Sequence, residues 1–323
     1  MRRISFLFAA LLGLGALLRA APAGAMLVAD QPYRFDPTGR LVTDVYVNGQ
    51  GPLSFLIDTA SSRSLIFEHV RARLGLTASA PELLTVYGIN DTGTAVPVQP
   101  RELRIASAVI TGLTIGVLPD PANPADEPDG VLGIDALARY FVVLDRATMH
   151  FKLLTPGPEA ARDYSDWAEV PLSPHPLKNI PLDFWYLRAR FNGANLMTLL
   201  DLGAGVTMLN WQAAELLGVK KHDFSKRDVP EDLRDVLGSD APAVRLMEMG
   251  VSMPGIAWTR QNALVSGAPV FGWFNLDEKP AAIVGPGLLG NNSLAIDFAG
   301  RRLFVGPTHP ERAARAEPWR EGQ

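Results

Sequence analysis

The sequence predicts an all-β protein built from two similar lobes, and three observations lead to this prediction. The 323 residues include 29 Gly and 26 Pro, which indicates many turns between short elements. A chain of this length corresponds to about two domains. The chain also contains an internal repeat, in which the same motifs recur in the same order. Such a repeat is stronger evidence for the fold than any single predicted element.

The first repeated feature is a pair of apolar strands joined by Asn-Gly. Residues 41–62 contain one copy and residues 185–205 the other. Asn and Gly both tolerate positive φ, so Asn-Gly between two apolar runs predicts a β-hairpin. The second strand of each copy ends at an aspartate, Asp58 in the first and Asp201 in the second.

Further landmarks follow each aspartate in the same order. A short helical pattern ends at Leu-Gly, a signal for a helix C-terminus. Two apolar residues and a Gly come later, and then a second Asp, which we interpret as a turn former. In pairs, these landmarks are Gly75 and Gly218, residues 131–133 and 283–285, and Asp145 and Asp297.

The beginning of the chain has the layout of a secretory signal peptide. Arg2 and Arg3 precede an apolar stretch at residues 4–18, and small residues at 23–25 form a cleavage site. We expect cleavage after Ala25 and a periplasmic or secreted protein without stable membrane insertion. An uncleaved anchor is the alternative, although the apolar stretch falls short of the ~20 residues that span a membrane.

These features divide the chain into four parts. Residues 1–25 are the predicted signal peptide, 26–160 the N-terminal lobe, 161–306 the C-terminal lobe and 307–323 a polar tail. Residues 155–181 are rich in Pro, Ala and charge, so we expect a connector with little regular structure there. Since one chain supplies both lobes, a monomer is expected.

Composition excludes several kinds of chemistry. The chain has no Cys, a net charge of −4 and no run of Lys or Arg. Thiol catalysis and disulfide scaffolds are therefore excluded, and nucleic acid is not the expected partner. The five His are scattered without metal-ligand spacing, so neither a metal nor a cofactor is expected.

The two repeated aspartates are the candidates for catalysis. Asp58 and Asp201 each end an apolar strand and precede small residues, where a carboxylate is costly unless it is paired or hydrogen-bonded. If the copies pack about a pseudo-twofold axis, the two carboxyl groups meet and share one proton. One can then act as a general base on water while the other polarises a carbonyl. The alternative is that each merely caps a turn.

At these residues the sequence resembles the aspartic proteases of the pepsin and retropepsin type, most of all exported bacterial retropepsin-like proteins with both lobes in one chain. Residues 57–61 and 200–204 correspond to the catalytic loops, and the triplets at 131–133 and 283–285 to segments that cross beneath them. Tyr87 and Gly88 fall where the family has its flap.

The resemblance implies a bilobal pepsin-like fold of two retropepsin-like lobes, and an endopeptidase that acts on peptide or protein substrates. Asp58 and Asp201 would be the catalytic pair, and Tyr87 and Gly88 would cover the substrate. Thr59 would brace the pair, and Ser61 would hydrogen-bond the nearby carboxylate. The residues expected to form the supporting loops are Thr59, Ala60, Ser61, Leu202, Gly203 and Ala204.

Two departures from the family pattern bear on activity. Ala60 replaces a Gly, and Leu202 replaces a Thr or Ser whose hydroxyl normally braces the two loops. A catalytically weak or inactive peptide-binding protein is therefore an alternative to an acid-favoured peptidase. A third reading is a dinucleotide site at residues 285–290, whose Gly spacing superficially fits; Pro286 and the absence of a following βαβ pattern oppose it.

Overall fold

The computed structural model describes residues 25–177, 183–220, 231–234, 237 and 240–309. Nearly all of the predicted signal peptide and most of the predicted polar tail lie outside the described residues. The same applies to residues 178–182 of the predicted connector. Within the described ranges the chain is mostly β-strand with short helices, so the all-β prediction is confirmed.

The elements of the first half begin with an N-terminal strand that precedes the repeated region. In chain order they are β1 (Leu27–Phe35), β2 (Leu41–Val47), β3 (Gln50–Ile57), β4 (Leu65–Phe67), α1 (Glu68–Leu74), β5 (Leu84–Tyr87), β6 (Thr92–Val98), β7 (Leu103–Ile105), β8 (Ala108–Ile110), β9 (Ile115–Leu118), a 3₁₀ turn (Pro124–Asp126), β10 (Gly130–Leu132), α2 (Ile134–Leu137), β11 (Phe141–Asp145) and β12 (His150–Leu154).

The elements of the second half follow a short helix. In chain order they are α3 (Pro158–Arg162), β13 (Ala168–Pro171), β14 (Ser173–Pro176), β15 (Asp183–Phe191), β16 (Ala194–Leu200), β17 (Met208–Leu209), α4 (Trp211–Leu216), β18 (Glu231–Arg234), β19 (Asp240–Met253), β20 (Ile256–Ser266), α5 (Val270–Trp273), β21 (Ala281–Val284), α6 (Pro286–Leu289), β22 (Asn292–Asp297) and β23 (Arg302–Thr308).

Strands pair in the same way in the two halves. The hairpin β2–β3 corresponds to β15–β16, and the predicted Asn-Gly turns have positive φ at both residues of each turn. Strand β10 runs parallel to β3 and antiparallel to β4, just as β21 runs parallel to β16 and antiparallel to β17. Both predicted hairpins are therefore confirmed.

A six-stranded antiparallel sheet joins the two halves. Its order is β1-β12-β11-β22-β23-β13, so each half supplies three strands. Across the centre, β11 pairs with β22, with Phe141 opposite Asp297 and Leu144 opposite Leu294. These two strands are almost entirely buried. The sheet therefore connects the two halves through a buried pair of strands and fixes their relative position.

The repeated Asp145 and Asp297 form turns in this sheet, as predicted. Oδ1 of Asp145 accepts hydrogen bonds from the N–H groups of Ala147 and Thr148. Oδ1 of Asp297 accepts one from Gly300 at 2.7 Å. Both aspartates thus satisfy backbone donors at the tight connection before the next strand, which is the local role that Asp favours in turns.

The predicted connector contains more regular structure than expected, so that prediction is wrong. Residues 155–177 include α3, β13 and β14. Pro158 lies in the first turn of α3, where a missing N–H costs nothing. Strands β13 and β14 are edge strands of their sheets, the one sheet position that tolerates Pro. The prolines therefore mark the borders of elements and do not exclude them.

No helix within the described ranges is long and apolar enough to cross a membrane.

Candidate active site

Asp58 and Asp201 occupy equivalent places in the two halves. Each follows the last residue of a buried strand, β3 for Asp58 and β16 for Asp201. The N–H of Asp58 donates to the carbonyl of Leu132 at 3.1 Å, and the N–H of Asp201 donates to the carbonyl of Val284 at 2.8 Å. The strands β10 and β21 therefore fix the backbone position of each aspartate at the end of its strand.

Each carboxylate is held by two backbone N–H groups of the loop that follows it. The bonds converge on Oδ1 in both halves, so Oδ2 of each aspartate is turned away from its own loop. The donors are Ala60 (2.7 Å) and Ser61 (2.9 Å) for Asp58, and Gly203 (2.8 Å) and Ala204 (3.1 Å) for Asp201. The hydroxyl of Ser61 instead donates to the carbonyl of Arg63, so Ser61 contacts the carboxylate through its backbone.

The fold brings the two carboxyl groups together. Both carboxyl groups lie against the same backbone position, that of Gly203 in the second half. The space around them is tight, because a Cβ on Gly203 would lie 2.7 Å from Cγ of Asp58 and 3.1 Å from Oδ1 of Asp201. Both side chains are only half-buried, so the pair keeps an open side.

The environment favours one shared proton. Burial raises the pKa of Asp58 to about 6, and the N–H groups of Ala60 and Ser61 limit that rise. Burial also raises the pKa of Asp201 well above its usual range, and the charge of Asp58 adds to this rise. Two carboxyl groups in contact do not ionise together easily, so the pair titrates as a unit and holds one proton over an intermediate pH range.

Thr59 joins the loops that follow Asp58 and Asp201. Its hydroxyl donates to the carbonyl of Leu200 at 2.8 Å and accepts from the N–H of Leu202 at 3.0 Å. Both Thr59 and Leu202 are fully buried. The apolar side chain of Leu202 packs in the main core and has no hydroxyl with which to make the reciprocal pair. The brace therefore consists of the Thr59 side chain bonded to the second loop, without an equivalent side chain bonded back to the first.

The glycines of the two apolar-apolar-Gly triplets allow the loops after Asp58 and Asp201 to pack closely. A Cβ on Gly133 would lie 2.8 Å from the carbonyl oxygen of Ser61, and one on Gly285 would lie 2.0 Å from that of Asp201. Gly285 therefore serves a backbone crossing, and α6, which follows it, is only four residues long. Gly285 and Gly287 thus serve packing against the Asp201 loop. Strand β22, which follows α6, pairs antiparallel with β11 and β23 and does not form the βαβ unit that a dinucleotide site requires.

The residues predicted for the flap lie on a hairpin. Tyr87 ends β5 and Gly88 begins the turn into β6, where the N–H of Gly88 donates to the carbonyl of Asp91 at 2.9 Å. Tyr87 is 51% exposed, since alternate residues of β5 face solvent. The hairpin therefore presents Tyr87 outward from the first half.

The tip of this hairpin reaches the second half. The ring of Tyr87 lies 5.5 Å from that of Trp273, measured between ring centroids. The N–H of Val270 donates to the carbonyl of Ile89 at 3.0 Å. Helix α5 is thus a docking point for the flap, a contact that sequence reasoning missed because no pattern links residues so far apart in the chain.

Sequence reasoning also missed a buried support beneath the Asp58 loop. Oδ1 of Asp135 accepts bonds from the N–H and the hydroxyl of Ser64, at 2.9 and 2.8 Å. The Ser64 hydroxyl in turn accepts from the N–H of Gly133 at 3.1 Å. Burial raises the pKa of Asp135. The sequence feature that could have indicated this support is an acidic residue two positions after Gly133, within a strongly apolar stretch.

The described part of the chain has no cluster of three or more His, Cys, Asp or Glu that could hold a metal ion. The groups assembled at the site are two carboxyls, the backbone donors behind them and a flap above. Such groups can carry out acid–base chemistry on a bound carbonyl compound, and an all-β fold with two close aspartates is similar to the arrangement in aspartic proteases.

Comparison with known families agrees with this class. Residues 43–136 match the model of a family described as aspartyl protease. The matched segment runs from β2 to α2 and contains Asp58, the flap hairpin and the Gly133 triplet. The predicted resemblance to aspartic proteases is therefore confirmed, and the match supports a peptidase that acts on peptides or proteins. No curated protein matches the chain.

Proposed function

We propose that this protein is an aspartic endopeptidase in which Asp58 and Asp201, one from each lobe, activate water. The observation that carries the proposal is the close approach of the two carboxyl groups at Gly203, where an added Cβ would lie 2.7 Å from Cγ of Asp58 and 3.1 Å from Oδ1 of Asp201. It is supported by the equivalent loop geometry in the two halves, which places two backbone donors behind each carboxylate.

The reaction begins with one carboxylate ionised and the other protonated. The ionised carboxylate takes a proton from water as the water oxygen bonds to the carbonyl carbon of the substrate, while the protonated carboxyl gives its proton to the carbonyl oxygen. The tetrahedral diol that forms then breaks its C–N bond as the nitrogen receives the proton of the pair, and one hydroxyl of the diol gives its proton to the carboxylate left ionised. A carboxylic acid and an amine leave, and the pair again holds one proton.

The remaining sequence expectations belong to the same proposal. A cleaved signal peptide would place the enzyme in the periplasm or outside the cell. Two lobes from one duplicated unit would make a monomer sufficient, with the lobes at residues 26–160 and 161–306. Matching strand pairings in the two halves support the duplication.

A peptide-binding protein without efficient catalysis is the second candidate. The one-way brace at Leu202 favours it, because the loops lose one of the two hydroxyls that would hold them in register. In this case the pair and the flap would retain a peptide without cleaving it.

Cleavage of an unstructured protein such as casein, followed by mass spectrometry from pH 3 to 9, tests both candidates. The variants Asp58→Asn and Asp201→Asn keep the shape of each side chain and remove the shared proton. Cleavage by the wild type that both variants lose supports the endopeptidase. Peptide binding without turnover at every pH favours the binding protein, and unchanged cleavage in both variants shows that the pair is not catalytic.

A further inference from the structure

The second half contains a counterpart of the flap hairpin β5–β6. Strands of the first half lie in the order β3-β10-β4-β9-β6-β5, and those of the second half in the order β16-β21-β17-β20-β19-β18. The directions also agree, because β9 runs parallel to β4 and antiparallel to β6, just as β20 runs parallel to β17 and antiparallel to β19. The hairpin β18–β19 therefore has the place in the second half that the flap has in the first.

A leucine from this second hairpin contacts the flap. Leu237 lies in the chain between β18 and β19, which pair up to Arg234 and Asp240. A Cβ on Gly93 of β6 would lie 3.0 Å from Cδ2 and 3.4 Å from Cδ1 of Leu237. The Leu237 side chain is thus placed directly against the flap backbone, at a position where the flap has no side chain of its own.

This contact lies on one face of the flap. Gly93 is paired with Val86 across the hairpin, and paired residues of neighbouring strands share a face of the sheet. Leu237 packs, together with Leu84 and Val86, against an apolar cluster contributed by β3, β4, β6, β9 and β10 of the first half. The second hairpin therefore places an apolar side chain against both the flap and the core of the first half.

The opposite face of the flap also meets the second half. Successive side chains of a strand alternate between its faces, so Tyr87 points away from the Leu237 contact, and its ring lies 5.5 Å from that of Trp273 on α5. At the turn of the hairpin, the N–H of Val270 donates to the carbonyl of Ile89 at 3.0 Å. The flap is therefore held between two parts of the second half, with Leu237 on one face and α5 on the other.

We propose that Leu237 is a positioning residue, which together with α5 holds the flap in the position that retains a substrate. The proposal rests on the proposed peptidase function and adds a residue on which substrate binding depends. A leucine offers only apolar contact, so its loss weakens the hold on the flap and leaves the acid–base groups unchanged. The expected kinetic effect is a higher KM at nearly constant kcat.

Amide hydrogen exchange of residues 84–98 in the intact protein tests the contact. Leu237→Ala should speed exchange there about tenfold, because less free energy opposes opening of the flap once the apolar contact is lost. Leu237→Met keeps an apolar side chain of similar volume and should stay close to the wild type. Leu216→Ala is the matched control, because Leu216 on α4 is 53% exposed and its truncation should leave the flap unchanged.

A double-mutant cycle separates this contact from a general loss of stability. Gly93→Ala presses a methyl group against Leu237 and should also speed exchange, whereas adding it to Leu237→Ala should cause little further change, because the methyl group then has room. Additive effects would overturn the proposal, and so would unchanged exchange in Leu237→Ala or acceleration that extends equally to β3 and β16. If Leu237→Ala does not fold, Leu237→Val takes its place in the cycle.

Kinetics with a peptide from casein separates this proposal from the proposed function. In a peptidase, Leu237→Ala should raise KM several-fold and leave kcat within about twofold of the wild type. A fall in kcat at constant KM would overturn the positioning role. The expected exchange pattern in a protein that cleaves no substrate would support the contact of Leu237 with the flap and contradict the peptidase.

Discussion

Thr59 and Leu202 are joined by one hydrogen bond, and the side chain of Leu202 cannot form a reciprocal bond. The N–H of Leu202 donates to the Thr59 hydroxyl at 3.0 Å, and the Leu202 side chain offers no hydroxyl in return. Thr59 completes the contact by donating to the carbonyl of Leu200 at 2.8 Å. One side chain thus supplies the hydroxyl brace between the two catalytic loops, which makes it an unusually sensitive position.

Thr59→Val should destabilise the protein by about 1–3 kcal/mol, the cost of leaving buried partners unsatisfied. Valine has nearly the same shape as threonine, so packing is preserved while the bonds to Leu200 and Leu202 are lost. Urea unfolding measures the change. Thr59→Ser keeps the hydroxyl and should recover most of the loss; an equal loss in both variants would mean that the methyl group, and not the hydroxyl, is what matters.

Equivalent positions in the two loops should respond differently to a methyl group. Gly203 corresponds to Ala60, but a Cβ on Gly203 would lie 2.7 Å from Cγ of Asp58. Gly203→Ala should therefore displace the pair and reduce kcat by about 100-fold, a loss typical of misplaced catalytic groups. The matched Ala60→Gly should cost at most about 1 kcal/mol in stability. Unchanged kcat in Gly203→Ala would contradict the geometry.

The sequence was sufficient to predict the features that repeat. The Asn-Gly turns and the strand–Asp–small-residue loops depend on local conformational preference. Because each motif occurs twice, its structural interpretation was better supported than that of a single occurrence. The pairing of Asp58 with Asp201 required only the assumption of a pseudo-twofold axis. The one-way brace followed directly from the absence of a hydroxyl on Leu202.

The rest depends on contacts between distant segments that have no repeated counterpart. Nothing in the local sequence places Trp273 beside Tyr87, because no periodic pattern links the two residues. The connector was misjudged for a similar reason. Proline suppresses strands in a sheet interior, but β13 and β14 lie at edges, and edge position is a tertiary property that composition does not reveal.

The pH profile of cleavage should reflect the raised pKa values of the pair. Because the pKa of Asp58 is raised to about 6, kcat/KM should increase about tenfold per pH unit below that value, as the base becomes ionised. It should fall again at higher pH, where the pair loses its shared proton. We therefore expect a near-neutral optimum instead of the acid optimum that the family resemblance suggested. Measurement from pH 3 to 9 would contradict this if activity peaked near pH 3.

Asp201→Asn should stabilise the protein at high pH while abolishing cleavage. The pKa of Asp201 is raised in the folded state, so its contribution to stability is present below its unfolded pKa and is lost as pH rises towards the folded value. Asparagine does not titrate and can donate to Asp58. A gain of at least about 1.4 kcal/mol, one pKa unit, is expected at pH 8, with little gain at pH 4.

Asp145→Asn is the matched control, because its pKa is shifted in the opposite direction. Burial raises the pKa of Asp145, but bonds from Lys152 and Thr148 outweigh burial and lower it. Its stabilisation is therefore present at neutral pH and lost on acidification. Thermal unfolding at about pH 2 and at pH 8 should show Asp145→Asn destabilised mainly at pH 8, because the contribution is lost only as pH falls below the usual carboxyl range. Parallel behaviour of the two variants would show that the buried pair does not set the pH dependence.

Trp273→Ala should release the flap from the second half. The ring contact with Tyr87 is worth about 0.5–1.5 kcal/mol beyond its buried area, and the bond from Val270 to the Ile89 carbonyl would remain as a weaker tether. We expect faster amide hydrogen exchange across residues 84–98 and a KM several-fold higher, since a looser flap retains substrate less well. Trp273→Phe keeps an aromatic partner and should stay close to wild type. Because Tyr87 is half exposed, Tyr87→Ala should loosen the same segment without affecting the core. Unchanged hydrogen exchange in both Ala variants would mean that the backbone bond and not the ring contact holds the flap closed.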